Sequence, residues 1–119
     1  MLAVGEYLLG PLDDRTVRMT SGLAGGVGGT HEEVCGALSG GALLIGALHG
    51  RTGPGEDDTR CRQLVTVFRQ RFADALGTTR CGDLQARGYG SKGTIPCAVL
   101  AERAAVILLE VLDGINSTS

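Results

Sequence analysis

Apolar residues recur every three or four positions along several segments, which is the spacing typical of amphipathic α-helices. No segment shows the alternation with a period of two that marks a strand. The pattern therefore predicts an all-α fold, a compact bundle of about five helices around a Gly/Ala-rich central helix. The clearest apolar stripes lie in a fourth helix, predicted from about Asp57 to Leu76, and in a last helix; their members are Cys61, Leu64, Val65, Phe68, Phe72, Ala75 and Leu76, and then Cys97, Leu100, Ala104, Ile107, Leu108 and Val111.

The N-terminal third predicts two helices and a glycine-rich turn. The first helix covers residues 1–9 and stops at Gly10-Pro11, and the second begins at Asp13-Asp14, where acidic groups meet the positive end of a helix. Because the first helix begins on apolar residues without a capping side chain, we interpret it as the end of a longer, truncated helix. The second helix ends in Gly25-Gly26-Val27-Gly28-Gly29, which predicts a tight turn packed under the central helix.

The central helix is predicted from a capping box formed by Thr30 and Glu33, and it extends to about Leu48. Its many glycines are unusual, since each costs about 1 kcal/mol relative to alanine inside a helix. Close approach of neighbouring helices would offset that cost. We therefore predict a small-residue packing face formed by Gly36, Ala37, Gly40 and Gly41.

The sequence of the C-terminal part predicts a short helix capped by Thr79, then a loop over residues 88–93 and then the last helix. Gly88-x-Gly90-x-x-Gly93 has the spacing of a dinucleotide fingerprint, but no strand precedes it, as that motif requires. A weaker alternative is an anion held by Lys92 and a helix N-terminus. We predict a single helical domain over residues 1–119, with residues 113–119 as a flexible tail.

Composition narrows the class of function. The chain has 119 residues, a net charge of -2 and only 3% aromatic residues, so neither a basic surface nor stacking platforms for nucleic acid are expected. No signal peptide is visible, and the longest uncharged run, Val34 to Leu48, is too short for a transmembrane segment. The default expectation is a cytoplasmic protein, in which cysteines favour metal or redox use over structural disulfides.

The four cysteines contain no C-x-x-C pair, so any site must be assembled by the fold. Cys35, Cys81 and Cys97 lie near the predicted starts of helices. Unpaired N–H groups and partial positive charge at those positions stabilise a thiolate, the reactive and metal-binding form. Cys61 lies inside an apolar stripe, which predicts a packing residue.

The histidines allow more than one interpretation. His31 lies four residues before Cys35, so both could share a helix face and bind a metal ion, although a solvated histidine in the first turn is the alternative. His49 ends the central helix, where a cation is favourable, and is interpreted as structural. Asp57-Asp58 resemble helix caps, and no Ser/His/Asp set is distinguishable.

An ordered set of motifs resembles a known family. Gly25-Gly26-Val27-Gly28 precedes the CGAxxG segment Cys35 to Gly40; Phe68 to Leu84 then carries Phe-x-x-x-Phe, Gly77 and Cys81, and Cys97 opens the last helix. This set is similar to the C-GCAxxG-C-C family of “putative redox-active” proteins over roughly residues 13–112. The family carries an earlier cysteine on an N-terminal helix. No cysteine precedes Cys35 here, which agrees with a truncated first helix, and Cys61 is additional.

The resemblance implies a cysteine cluster for redox or metal chemistry, without a defined substrate. We predict that Cys35, Cys81 and Cys97 gather into one catalytic thiol site that exchanges disulfides or electrons with a redox partner protein. The first alternative is a soft metal ion or iron–sulfur cluster bound by these cysteines, with His31 or an upstream cysteine completing the ligands. The second is a structural or adaptor module whose cysteines only pack. Whether the protein is an enzyme, and whether it forms a homodimer, stays open.

Overall fold

The computed structural model describes residues 1–89 and 95–118, with side chains described through residue 114. This part of the chain forms α-helices joined by loops and one short 3-10 turn, and it contains no strand, which confirms the all-α prediction. The helices are α1 (Leu2–Leu9), α2 (Asp14–Thr20), α3 (Gly36–His49), α4 (Thr59–Leu76), α5 (Cys81–Ala86) and α6 (Cys97–Thr118), and the 3-10 turn is Ser21–Leu23.

Helices α3, α4 and α6 pack against one another and enclose the core. The stripe predicted on α4 supplies both phenylalanines of the core, and the rings of Phe68 and Phe72 meet edge to face with centroids 6.2 Å apart. Ala75, predicted to belong to this stripe, is exposed instead. The fully buried large side chains are Phe68, Phe72, Ile45, Leu64, Leu84 and Leu108.

The ends of most helices follow the sequence signals. Asp13 caps α2 by accepting a hydrogen bond from the Thr16 amide at 2.7 Å. Gly77 ends α4 in the left-handed conformation, with φ of 87°. The helix α6 extends to Thr118, and the predicted flexibility of residues 113–119 stays a prediction. Residues 90–94, which include Lys92 and most of the predicted dinucleotide spacing, lie outside the described residues.

The predicted start of the central helix was wrong. α3 begins at Gly36, with Cys35 as its N-cap, and Thr30 and Glu33 form no capping box. The Thr30 hydroxyl donates backward to the carbonyls of Gly26 and Val27, each at 2.9 Å. The Glu33 backbone pairs with Gly26 and with Cys81, so this segment forms tertiary contacts that a helix would prevent.

The small-residue face of α3 is a packing face, as predicted. A Cβ on Gly41 would lie 2.4 Å from the buried ring of Phe68, and one on Gly40 would lie 3.1 Å from Met1. A Cβ on Gly36 would make ordinary contact with Leu23 and Ala24, at 3.4 Å or more. Glycine therefore lets α4 approach α3 most closely at Gly41. None of the helices in the described part of the chain is long and apolar enough to cross a membrane.

Candidate thiol site

Three cysteines line one cavity of about 240 Å³ at the starts of three helices. Cys35 is the N-cap of α3, Cys81 is the first residue of α5, and Cys97 is the first residue of α6. The fold therefore brings to one cavity three cysteines that lie up to 62 positions apart in the sequence, the separation of residue 35 from residue 97. The other lining residues are Ala24, Gly25, Gly36, Ala37, Leu84, Gln85, Tyr89, Leu100 and Ala101.

A short antiparallel backbone pairing holds Cys35 and Cys81 in place. Val34 and Arg80 form an isolated β-bridge between the loop before α3 and the residue before α5. On either side of it, the Cys35 amide donates to the Thr79 carbonyl at 2.8 Å, and the Cys81 amide donates to the Glu33 carbonyl at 2.9 Å. Both cysteines are thus positioned by their own backbone hydrogen bonds rather than by side-chain packing alone.

The glycine-rich turn packs directly against this pairing. Residues 25–29 all have positive φ, between 62° and 72°, including the β-branched Val27, for which this conformation is strained. A Cβ on Gly26 would lie 2.7 Å from the Cys81 Cβ and 2.9 Å from the His31 Cα. A Cβ on Gly82 would lie 2.6 Å from the His31 carbonyl oxygen. The absence of side chains at these two glycines lets the turn close onto the start of α5.

His31 contacts Cys81, whereas the sequence offered either a helix face shared with Cys35 or a solvated histidine in the first turn. Its Nδ1 lies 3.3 Å from the Cys81 Sγ and 3.2 Å from the Gln85 Nε2. The predicted shared helix face does not exist, because His31 lies in the loop before α3 with φ of 61°. Gln85 was missed, although its position four residues after Cys81 on α5 is the spacing that places two side chains on one helix face.

The environment of Cys35 opposes a thiolate. Burial, with only 5% of the residue exposed, raises the pKa of the Cys35 thiol above its ordinary value. The backbone N–H groups of Ala37 and Leu38 lower that pKa, but the loss of hydration on burial has the larger effect. The Cys35 side chain forms no capping hydrogen bond with α3. The expectation that a helix start would favour the thiolate is therefore wrong at Cys35.

Exposure differs strongly among the cysteines. The pKa of the Cys81 thiol is also raised. Burial is the largest cause, and the charges of the nearby Cys35 and Cys97 add to it. Cys97 is exposed, Cys81 is half-buried, and all four cysteines are free thiols. Cys61 is partly buried against the core, away from the cavity, in agreement with its predicted packing role. Cys97 is therefore the sulfur of the cavity that a large partner can reach.

The arrangement of the side chains gives little support to a metal site. In the described ranges, no group of three or more His, Cys, Asp or Glu residues is arranged to hold a metal ion. Metal binding by Cys35, Cys81, Cys97 and His31 stays a prediction from the sequence. Among these four residues, the structure brings the side chains of His31 and Cys81 into contact. A histidine and a cysteine at this distance are suited to proton transfer.

The raised pKa values predict how alkylation depends on pH. Only the thiolate reacts with iodoacetamide, so native Cys35 and Cys81 should keep gaining reactivity above about pH 8.5, where an unperturbed thiol is half ionised. Exposed Cys97 should be labelled fastest at neutral pH. The measurement is labelling rate against pH for each cysteine by mass spectrometry, with the protein unfolded in guanidinium as control. Cys81 profiles that coincide in the native and unfolded states would contradict the prediction.

A protein-family model matches most of the chain. The family model described as “Putative redox-active protein (C_GCAxxG_C_C)” matches residues 1–111. The matched range contains the glycine-rich turn, all three cysteines of the cavity and His31. No curated protein and no solved structure matches the chain.

Proposed function

The chain belongs to the C_GCAxxG_C_C family, and from this premise we propose that it carries out thiol–disulfide exchange at the cavity of Cys35, Cys81 and Cys97. The observation that carries the proposal is the convergence of three free thiols on one small cavity, with a histidine nitrogen 3.3 Å from one of the sulfurs. Reversible disulfide formation requires two thiols within reach of each other, and a nearby proton acceptor speeds it by forming the thiolate.

The exposure of each sulfur suggests its role. Cys97, as the exposed thiol, attacks a disulfide of an oxidised partner and forms a mixed disulfide, while one partner sulfur leaves and takes up a proton. Cys35 is too buried to meet a partner and acts only within the protein. The second thiol must attack the Cys97 sulfur from inside the cavity, which Cys81 also lines.

Cys81 is the better second thiol because His31 can accept its proton. As Cys81 attacks the mixed disulfide, its proton passes to His31 Nδ1, and the second partner sulfur leaves with a proton from solvent. The protein ends with a Cys81–Cys97 disulfide and the partner with two thiols, so two electrons have moved. Since His31 is exposed, it can return its proton to water before the next cycle.

The test is mild oxidation of the reduced protein with diamide, followed by peptide mapping of the disulfide. We expect a Cys81–Cys97 bond in the wild type and slower formation in His31→Gln, by about tenfold or more, because the proton acceptor is lost. Cys61→Ser, at the cysteine outside the cavity, should oxidise at the wild-type rate. A protein whose cysteines only pack would form no intramolecular disulfide, and a Cys35–Cys97 bond would contradict the role of His31.

A further inference from the structure

A second, larger cavity lies beside the thiol site. It has a volume of about 480 Å³ and is enclosed by α1, α2, the 3-10 turn and one face of α3. Its floor is made by the half-buried Gly36 and Gly40 and by the buried Leu44. This volume falls within the roughly 300–1,000 Å³ of sites that bind small molecules. At Gly36 and Gly40 the helix is approached closely by its neighbours, because a Cβ on Gly40 would lie 3.1 Å from Met1 and one on Gly36 would lie 3.4 Å from Leu23.

The chemistry of the walls selects an uncharged ligand. Among the described residues, no charged side chain lines the cavity; its one charged group is the α-amino group of Met1, and its side-chain hydroxyls belong to Thr16 and Thr20. The Thr20 hydroxyl donates to the Val17 carbonyl at 2.7 Å, and the Thr16 side chain is hydrogen-bonded to Asp13. Both hydroxyls are therefore engaged with α2 or its N-cap, and apart from the α-amino group of Met1 the walls offer a charged ligand no partner to replace its hydration.

The rim of the cavity is apolar and open to solvent. Leu2, Leu9 and Leu43 are 40–47% exposed, and Met19 is 71% exposed. Scattered exposed leucines are ordinary, but here four large apolar side chains surround one concave site. Ligand sites in proteins combine concavity with such an apolar lining.

The two cavities adjoin at the first turn of α3. Ala24 and Gly36 line both of them. Gly36 has no side chain, and a Cβ there would lie 3.4 Å from the Leu23 carbonyl oxygen and 3.6 Å from the Ala24 Cα. The backbone of Gly36 and of Ala24, with the Ala24 methyl group, therefore forms part of the wall shared by the two cavities.

We propose that the larger cavity binds an uncharged hydrophobic small molecule and presents one end of it to the thiol cavity. The binding itself is independent of the cysteines. The identification of this molecule as the substrate of the thiols rests on the function proposed above. It gives that function a substrate class, an uncharged apolar organic disulfide, which would accept two electrons from the thiols and leave as two thiols, in place of a folded protein partner alone.

The binding test uses two fluorescent probes that differ by one charged group, N-phenyl-1-naphthylamine and 1-anilinonaphthalene-8-sulfonate. We expect saturable binding of the uncharged probe at one site per chain, and about tenfold weaker binding of the sulfonate. Leu43→Glu places a charge on the rim and should weaken the uncharged probe by about tenfold or more. The matched control is Val106→Glu, at a similarly exposed apolar residue of α6 outside this cavity, and it should leave binding unchanged.

Three results would overturn the binding site: no saturable binding, equal binding of both probes, or equal losses in Leu43→Glu and Val106→Glu. Chain association is measured at the same concentration by analytical ultracentrifugation. A wild-type dimer that Leu43→Glu converts to monomer would show that a second copy of the chain covers this face, which also overturns the proposal.

The link to the thiols has its own readout. Saturating N-phenyl-1-naphthylamine should slow alkylation of Cys35 several-fold and leave Cys61, outside the cavity, unaffected. An unchanged Cys35 rate would show that the bound molecule does not reach the sulfurs and would remove the substrate role.

Cys97→Ser separates the two proposals: it should abolish disulfide formation and keep probe binding. If the wild-type protein forms the disulfide but does not bind the probe, this inference alone is overturned.

Discussion

Gly26→Ala should destabilise the protein by about 3 kcal/mol and separate His31 from Cys81, because two costs add at this position. The first is the left-handed backbone, with φ of 72°, which costs an L-residue about 1–2 kcal/mol. The second is overpacking, typically about 1–3 kcal/mol, since the new methyl group would lie 2.7 Å from the Cys81 Cβ and 2.9 Å from the His31 Cα. The free energy of unfolding in urea measures the sum.

The control for Gly26 is Gly28, two residues along the same turn. Gly28 has φ of 64°, but a Cβ there would meet nothing within 4 Å. Gly28→Ala should therefore lower the free energy of unfolding only through the left-handed backbone conformation, by about 1–2 kcal/mol. It should keep the diamide oxidation rate of the wild type. Gly26→Ala should in addition slow oxidation as His31→Gln does. Equal stabilities of the two variants would show that the turn is not packed against the thiol site.

Gly41→Ala should destabilise the protein by about 2 kcal/mol, although alanine is the better helix former. The added Cβ would lie 2.4 Å and 2.6 Å from two ring atoms of Phe68. That ring is fully buried and packs against Phe72, so it cannot move aside without disturbing the core. The measurement is again the free energy of unfolding, with helix content checked by circular dichroism.

The same helix supplies the control of opposite sign. A Cβ on Gly46 would meet nothing within 4 Å, so Gly46→Ala gains helix propensity without a clash. It should stabilise the protein by up to about 1 kcal/mol. The two variants thus make the same chemical change five positions apart with opposite expected effects. Destabilisation by both would show that the glycines of α3 serve some purpose other than contact with α4.

The candidate site depends on contacts that lie far apart in the sequence. The sequence identified the three cysteines of the cavity by their closeness to predicted helix starts, and Cys61 by its place in an apolar stripe. It offered two interpretations of His31, a helix face shared with Cys35 or a solvated residue, whereas His31 lies against Cys81, 50 positions away. It also predicted a favoured thiolate from the helix start alone, whereas burial determines the direction of the Cys35 pKa.

Local sequence determined the helices, because hydrophobic periodicity and caps such as Asp13 and Gly77 act within a few residues. It also indicated close packing at the glycines of α3, since their cost favours a compensating contact; the structure provides that contact at Gly40 and Gly41 but not at Gly46. Only the tertiary structure decided where α3 begins. Thr30 and Glu33 carry a helix-start signal, but their backbones gain hydrogen bonds with the glycine turn and α5 that a local helix would have to break. Those longer-range bonds placed His31 beside Cys81, and thus created a contact that no local pattern contains.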